Sequence, residues 1–347
     1  MIIKIVISLG ASSLPYASIC IRSLADKLLG DQHIHLLTDS PQDRIQLQEA
    51  FADIARIQVH WSDELWAGPG NAMRRFPGIV RLRDGHPCWR KLTDPMLLAR
   101  DGDEVVVIDP DVYFFRPFVF EPLGDASLRL MWQRANCLLP YSVVEAAFTR
   151  DISLADHVDI GIAQYRAPLD LEWLDWAITT LGTLPTNVMH VEAVLWSSLA
   201  MRMGGGYLDS TLWRCWENSQ FKRIRRKLGA TPAQMLALED FSRAIAFHDG
   251  KAVTVVILPG DLRISEDLAG SGGVPVLEHP VLVGPIVIVA EDAVLLQPVV
   301  EEEMILLLRH PVIHQIFEHG TVRGPADPLL NDRARHSLSA PKSLCPR

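Results

Sequence analysis

The sequence predicts an α/β fold: one sheet with helices on both faces, followed by a small C-terminal extension of strands and a helix. Three observations carry this. Short, near-continuous apolar runs recur through the first 118 residues, the pattern of strands covered on both sides. Stretches with helical spacing separate them, so that strand and helix alternate, which favours a layered fold with right-handed crossovers. After about residue 252 the chain changes character and becomes rich in Val, Ile, Leu and Pro up to residue 300.

In order, residues 2–7 (IIKIVI) read as the first strand, and "LGASSLPYASICIRSL" as a loop and a helix, with Pro15 in the first turn and Ile19, Cys20 and Leu24 at helical spacing. Residues 33–37 (HIHLL) give a second strand, residues 41–53 a helix, and residues 56–61 (RIQVHW) a third strand. Residues 62–88 carry Gly68, Pro69, Gly70, Pro77, Gly78, Gly85 and Pro87 and read as irregular. Residues 89–100 read as a helix interrupted by Pro95, and residues 104–108 as a fourth strand. "HVDIGIAQYR" (157–166) is a further strand and "LEWLDWAITTLG" a helix. Residues 191–205 form a helix stopped by three glycines, and "RAIAFHDGK" (243–251) a strand ending in His248. A last helix spans "EEEMILLLRHPVIHQIFEHG", bent at Pro311, and the residues from Gly324 onward read as a loose tail. The expected divisions are therefore 1–251, 252–323 and 324–347.

The 347 residues are 48% hydrophobic and 22% charged, enough to bury a full core. A net charge of −9 argues against general nucleic-acid binding, which needs an excess of Lys and Arg. No span is long and apolar enough to cross a bilayer, and "MIIKIVISLG" reads as a strand and not as a signal peptide. The five cysteines lack CxxC spacing, so a reducing, cytoplasmic compartment is expected, with neither a disulfide framework nor a zinc site. His310 and His314 stand i, i+4 without an HExxH motif and read as structural, as do His33 and His35 on their strand.

"VVVIDPDVYFFRPF" (105–118) raises the chemical question, because a buried strand ends in two acids, Asp109 and Asp111. Ligands of open α/β sheets collect at the carboxyl ends of strands. Asp-x-Asp on an extended strand directs both carboxylates to one side. Such a pair repels itself unless a cation or a proton lies between them, and a hard divalent ion would also hold substrate phosphates. Asp and Pro are equally at home in a plain turn, which is the competing reading.

This stretch resembles the hydrophobic strand and D-x-D segment of glycosyltransferases with the GT-A fold, most closely the retaining family 8 group that includes glycogenin and bacterial galactosyl- and glucosyltransferases. Other pieces follow in that family's order over roughly residues 1–251. The opening strand with Tyr16 and "IRSL" is similar to its uridine-binding start. "RKLTDPMLLARDGDEVVVIDPD" is similar to the Lys-Leu helix leading into its D-x-D. "VDIGIAQYR" is similar to its Asn-Ser-Gly strand, with Asp159 at the asparagine position. "VEAVLWSSLA" is similar to its Asp-Gln helix, with Glu192 in the acidic or amide position. "AIAFHDGK" is similar to the segment that carries a histidine metal ligand and a phosphate-contacting lysine. Residues 252–347 match no known pattern.

The resemblance implies a single Rossmann-type nucleotide-binding sheet of GT-A type and a metal-dependent transfer of a sugar, here expected to be a hexose moved with retention, from a nucleoside-diphosphate sugar to an acceptor hydroxyl. Asp109, Asp111 and His248 would hold the metal, with Mn2+ favoured slightly over Mg2+ by a mixed carboxylate–imidazole set. Lys251 would meet the phosphates, and Lys91 or its neighbour Arg90 the diphosphate or ribose unless they lie on a solvated helix face. Ser8, Gly10 and Tyr16 would hold the nucleoside, with a UDP-sugar favoured. Asp159 and Glu192 would touch acceptor or donor hydroxyls, one as base or electrostatic support. The acceptor is left open among glycan, lipid and small molecule.

All nine tryptophans fall between residues 61 and 216, and some are candidates for an acceptor groove, although core packing accounts for such residues more simply. "WRCWENSQFKRIRRK" (213–227) places five basic residues in six positions, 222–227, and is either a solvated helix face or a peripheral contact with an anionic acceptor or membrane surface. Two rival functions share the D-x-D: a phosphatase or phosphotransferase of the haloacid dehalogenase type, in which the first Asp is a nucleophile, and a non-catalytic nucleotide-sugar-binding protein.

Overall fold

In a computed structural model, the residues described are 2–134, 138–216, 220–230, 232–236 and 239–248, together with the backbone of 254–257 and 286–289. The chain divides into two units, Met1–Ala293 and Val294–Arg347. The fold set out below is that of the first. Lys251, the expected last helix with His310 and His314, and the tail from Gly324 lie outside the described residues.

The fold is α/β, built on a seven-stranded mixed sheet. Strands β1 (Ile3–Ser8), β2 (Ile34–Thr38), β3 (Ile57–Trp61) and β4 (Glu104–Ile108) are the four read from apolar runs, and they pair in parallel. Strand β5 (Val112–Phe114) belongs to a second sheet. The sequence reading assigned nothing to residues 119–156, where the structure has β6 (Leu128–Trp132) and helix α6 (Tyr141–Thr149). Strand β7 (Val158–Arg166) runs antiparallel between β4 and β6, and β8 (Gly206–Tyr207) closes the edge, giving the order β3-β2-β1-β4-β7-β6-β8.

Helix α1 (Leu14–Lys27) carries Pro15 in its first turn. Helix α2 (Pro41–Ala50) is capped by Ser40, which accepts from the Asp43 amide at 3.0 Å. Residues 62–88 are not irregular. They form α3 (Ser62–Ala67), a 3-10 stretch (Pro69–Arg75) and α4 (Pro77–Arg83). Pro69, Pro77 and Pro87 each open a helical turn, where a missing N–H costs nothing, so the signals read as breakers are starts. Helix α5 is a single turn (Arg90–Thr93), followed by a 3-10 turn from Pro95. Farther on come α7 (Leu171–Leu181) and α8 (Val191–Met203). The latter stops where Gly204 takes the left-handed conformation, φ 70°.

Alternate residues of the strands feed two cores. Val105 and Val107 face the layer with α4, α5, α7 and α8, whereas Ile5, Ile7, Val106 and Ile108 face α1 and α2. Two buried faces explain the near-continuous apolar runs.

The second sheet has β10 (Ala246–His248) between β5 and β9 (Trp213–Cys215). Helices α9 (Gln220–Lys227) and α10 (Pro232–Leu236) lie in the intervening chain, and a third cluster of Tyr113, Trp216, Met235, Leu236 and Phe247 packs beside this sheet. In the expected extension, β11 (Thr254–Ile257) and β12 (Ile286–Val289) pair antiparallel.

Candidate functional site

Pro110 has no N–H to continue the β4 ladder. The chain therefore turns at Asp109, whose amide donates to Gly161 O at 2.8 Å and whose carbonyl accepts from Val112 N–H at 3.2 Å. The expectation that the two aspartates share one side of an extended strand is corrected here. They sit in a tight turn, and the turn gathers them.

Register brings the third member. Strand β5 begins directly after Asp111 and pairs with β10 so that Val112 faces His248, and His248 in turn faces Cys215 on β9. His248 Nε2 comes 3.3 Å from Asp111 Oδ1 and 3.8 Å from Asp109 Oδ2. Its Nδ1 lies 2.7 Å from Asp159 Oδ1 on β7, an oxygen that also accepts the Gly161 amide at 2.8 Å. Gly161 is sterically required, because a Cβ there would stand 2.5 Å from the His248 ring.

On the other side of the turn, Lys91 of α5 is buried and not on a solvated face. Its Nζ lies 2.7 Å from Asp109 Oδ1 and 2.8 Å from Glu192 Oε1, the latter from the first turn of α8. Glu192 is fully buried and Asp159 is 5% exposed. Neither carboxyl expected at substrate hydroxyls faces open space; each is turned to a protein cation.

The electrostatics follow from burial and pairing. Burial pushes the Asp109 carboxyl above its usual range, with Lys91 opposing and Asp111 adding to the effect. Burial also disfavours the Asp111 and Asp159 anions, but His248 outweighs it and holds both below the usual range. For His248, burial opposes the charge, while Asp159 and Asp111 on its two nitrogens hold the imidazole well above its ordinary pKa. Lys91 is likewise held charged by Asp109 and Glu192 against burial. Among the described residues, four carboxylates thus face two cations.

One oxygen or nitrogen from each of Asp109, Asp111 and His248 lies within 4.8 Å of the others. Donors about 2.1 Å from one hard ion, on adjacent octahedral positions, stand about 3 Å apart, so this set fits a single divalent cation. Asp159, Cys215 and His248 form a second grouping that shares the imidazole. There the short Nδ1–Asp159 bond orients the ring so that Nε2 points to the aspartate turn.

The nucleoside candidates lie at the end of the neighbouring strand. Ser8 closes β1, and its Oγ is buried without a hydrogen-bond partner among the described residues. Gly10 accepts the Ser13 amide at 3.0 Å, and Tyr16 donates its hydroxyl to Ser13 Oγ at 2.9 Å. The Tyr16 phenol is shifted up, first by burial and then by Asp111 and Asp109, so it stands within electrostatic reach of the aspartate turn. Arg90, the neighbour of Lys91, pairs with Asp39 at 2.7 Å. Five of the nine tryptophans (66, 89, 196, 213 and 216) are core residues. In the 213–227 stretch, Trp213 and Cys215 of β9 are buried, whereas Phe221, Ile224 and Lys227 of α9 are exposed.

Sequence reasoning missed Gly161, Cys215 and the Lys91–Glu192 pair. A glycine two residues after Asp159 was a signal for the first; the other two arise only from contacts between distant segments.

No family model matches the sequence, and no curated protein matches it. Several solved structures align over most of the chain. A mouse xyloside xylosyltransferase 1 aligns with 72% of this chain and 98% of its own, at TM-score 0.46 and 9% identity. The galactosyltransferase LgtC, solved with donor and acceptor sugar analogs, aligns with 73% of this chain and 88% of its own, at TM-score 0.39 and 14% identity. The mannosyltransferase Ktr4p from S. cerevisiae covers 59% of this chain and 68% of its own, at TM-score 0.37 and 9% identity. Likenesses at this level carry nothing about the reaction of this chain.

Proposed function

We propose that the protein is a metal-dependent glycosyltransferase of GT-A type that moves a sugar from a nucleoside-diphosphate sugar to an acceptor hydroxyl. The observation that supports this best is the turn of buried Asp109 and half-buried Asp111 facing His248, at the carboxyl end of a parallel strand, with more anions than cations around it among the described residues. Such a cluster calls for a cation, and the strand end beside it, at Ser8 and Tyr16, offers a place for a nucleoside.

Asp109, Asp111 and His248 would hold the ion. When bound, a divalent ion supplies charge neutralisation for a departing diphosphate. Asp159 keeps the Nδ1 proton of His248 engaged, which leaves Nε2 directed at the site. Lys91 and Glu192 clamp Asp109 from the protein side, so we assign them, with Asp159, positioning roles and not contact with the sugar. The Ser8 hydroxyl, the Gly10 backbone and the Tyr16 ring would bind the nucleoside, and Lys251 the phosphates. A UDP-hexose donor and a retained anomeric configuration are proposals from the sequence resemblance, and Mn2+ is one from the donor set. The phosphatase reading would need a free nucleophilic carboxylate, whereas Asp109 Oδ1 is held by Lys91.

The test is a thermal-shift screen of nucleoside diphosphates and their sugars with and without Mn2+, followed by an assay for diphosphate release. A metal-dependent shift with one nucleoside diphosphate, lost in Asp111→Ala, together with sugar transfer or hydrolysis, is expected. Equal stabilisation of wild type and variant would end the site assignment. Binding without turnover across acceptors would favour a non-catalytic nucleotide-sugar-binding protein.

A further inference from the structure

Helix α9 (Gln220–Lys227) stands out from the rest of the surface. Phe221, Ile224 and Leu228, at spacings of three and four residues, fall on one helical stripe and are 60%, 56% and 82% exposed. Five of the six residues 222–227 are basic, in a chain whose net charge is −9. Arg225 lies over the Phe221 ring at 5.6 Å, so a cation flanks the apolar stripe. The Leu228 amide bonds to Ile224 O at 2.9 Å and the Ala230 amide to Arg225 O at 2.9 Å, closing the helix end. Just beyond, Met235 and Leu236 are buried against Tyr113 and Phe247, the neighbours of Val112 and His248 on β5 and β10.

An isolated exposed leucine needs no explanation, but a three-residue apolar stripe on a strongly basic helix does. Water solvates an exposed cation such as Lys227 and leaves the apolar stripe bare. A surface that is apolar within and anionic at its face satisfies both. We propose that α9 docks in the plane of an anionic lipid bilayer, with Phe221, Ile224 and Leu228 entering the acyl boundary and the basic residues meeting the headgroups. Through Met235 and Leu236, this contact reaches the small sheet that carries His248. The docking does not depend on the glycosyltransferase reading.

The experiment is co-sedimentation of the full chain with vesicles of phosphatidylcholine alone and of phosphatidylcholine with 30% phosphatidylglycerol, about the anionic fraction that makes surface electrostatics count. Wild type is expected to bind the anionic vesicles at least tenfold more tightly than the neutral ones, and to lose most of that binding at high salt. Phe221→Ser/Ile224→Ser/Leu228→Ser and, separately, Arg225→Glu/Lys227→Glu are each expected to lose at least tenfold while melting at the wild-type temperature. No binding of wild type, equal binding by both variants, or equal affinity for neutral vesicles would overturn the proposal. A concentration-dependent dimer abolished by the triple substitution, or lipid-independent hydrogen-exchange protection of residues 220–228, would assign the stripe to a second copy or to another segment of this chain instead.

Discussion

Asp159 carries a charge where the resembled family has an amide, and the structure gives that charge a use. Its Oδ1 accepts from His248 Nδ1 at 2.7 Å and from the Gly161 amide at 2.8 Å, within a site from which water is largely excluded. An asparagine could still accept through its carbonyl oxygen. It would lack the charge that makes the imidazole a better donor toward the ion side. Asp159→Asn is therefore expected to weaken Mn2+ binding by about 10- to 100-fold with little loss of thermal stability, measured by calorimetric titration of the ion. An unchanged affinity would show that Asp159 supports the fold and not the site. The neighbouring Gly161 marks how far single residues could be read from the sequence. Asp109 and His248 stood out because each ends an apolar run, and Asp111 because it follows Asp109 at a spacing of two. Gly161 did not, because its need to be glycine comes from a histidine 87 positions later, whose ring lies where its Cβ would be.

At the scale of elements, the parallel strands were legible because burial on both faces leaves continuous apolar runs, as in Glu104–Ile108, where every residue is buried. Strand β6 was not, because its irregular pairing with β7 shifts register at Leu130 and Met131. The helices of residues 62–88 were hidden by prolines that open turns and by a cap supplied from far away: Asp175 of α7 accepts the Gly78 and Ile79 amides at 2.6 and 3.1 Å. The β2–β3 pair offers a test of its own. His35 Nδ1 and His60 Nε2 lie 3.0 Å apart, so one ring donates and the other, uncharged, accepts, and burial disfavours a proton on either ring beyond that. Burial, then His60, lowers the His35 pKa to about 4, and burial lowers that of His60 as well. The unfolded chain takes up the His35 proton near pH 6.5 and the folded chain only near 4. The contribution is thus complete above about pH 6.5 and is lost as pH falls through that window. Urea unfolding of wild type at pH 7 and pH 4.5 should differ by roughly 2–3 kcal/mol more than that of His35→Leu/His60→Leu. Parallel pH profiles for the two proteins would refute the buried neutral pair.

For the molecule as a whole, the site draws on the β4–β5 turn, α5, β7, α8, β9 and β10, so its electrostatic strain is carried by the seven-stranded sheet, the sheet of β5, β10 and β9, and the helix layer of α5 and α8. Without a metal ion, four carboxylates, three of them buried, share two cations among the described residues, and Asp109 bears most of the cost: burial and Asp111 raise its pKa although Lys91 lies at 2.7 Å. An acid whose folded pKa is raised destabilises the native state once pH exceeds the unfolded value. At neutral pH the Asp109 charge is therefore a cost to the metal-free fold, a sign of a turn kept for binding. Asp109→Asn keeps the shape, leaves Lys91 its Glu192 partner and removes the strained charge. In the presence of a chelator the variant is expected to melt above wild type, by about 2–4 °C for each kcal/mol relieved in a chain of this size. On addition of Mn2+ the order should reverse, because wild type gains binding free energy and the variant does not. If the chelated variant melts below wild type, the Asp109–Lys91 pair is a structural ion pair and the turn was not built around a missing cation. If both proteins respond equally to Mn2+, the ion binds elsewhere.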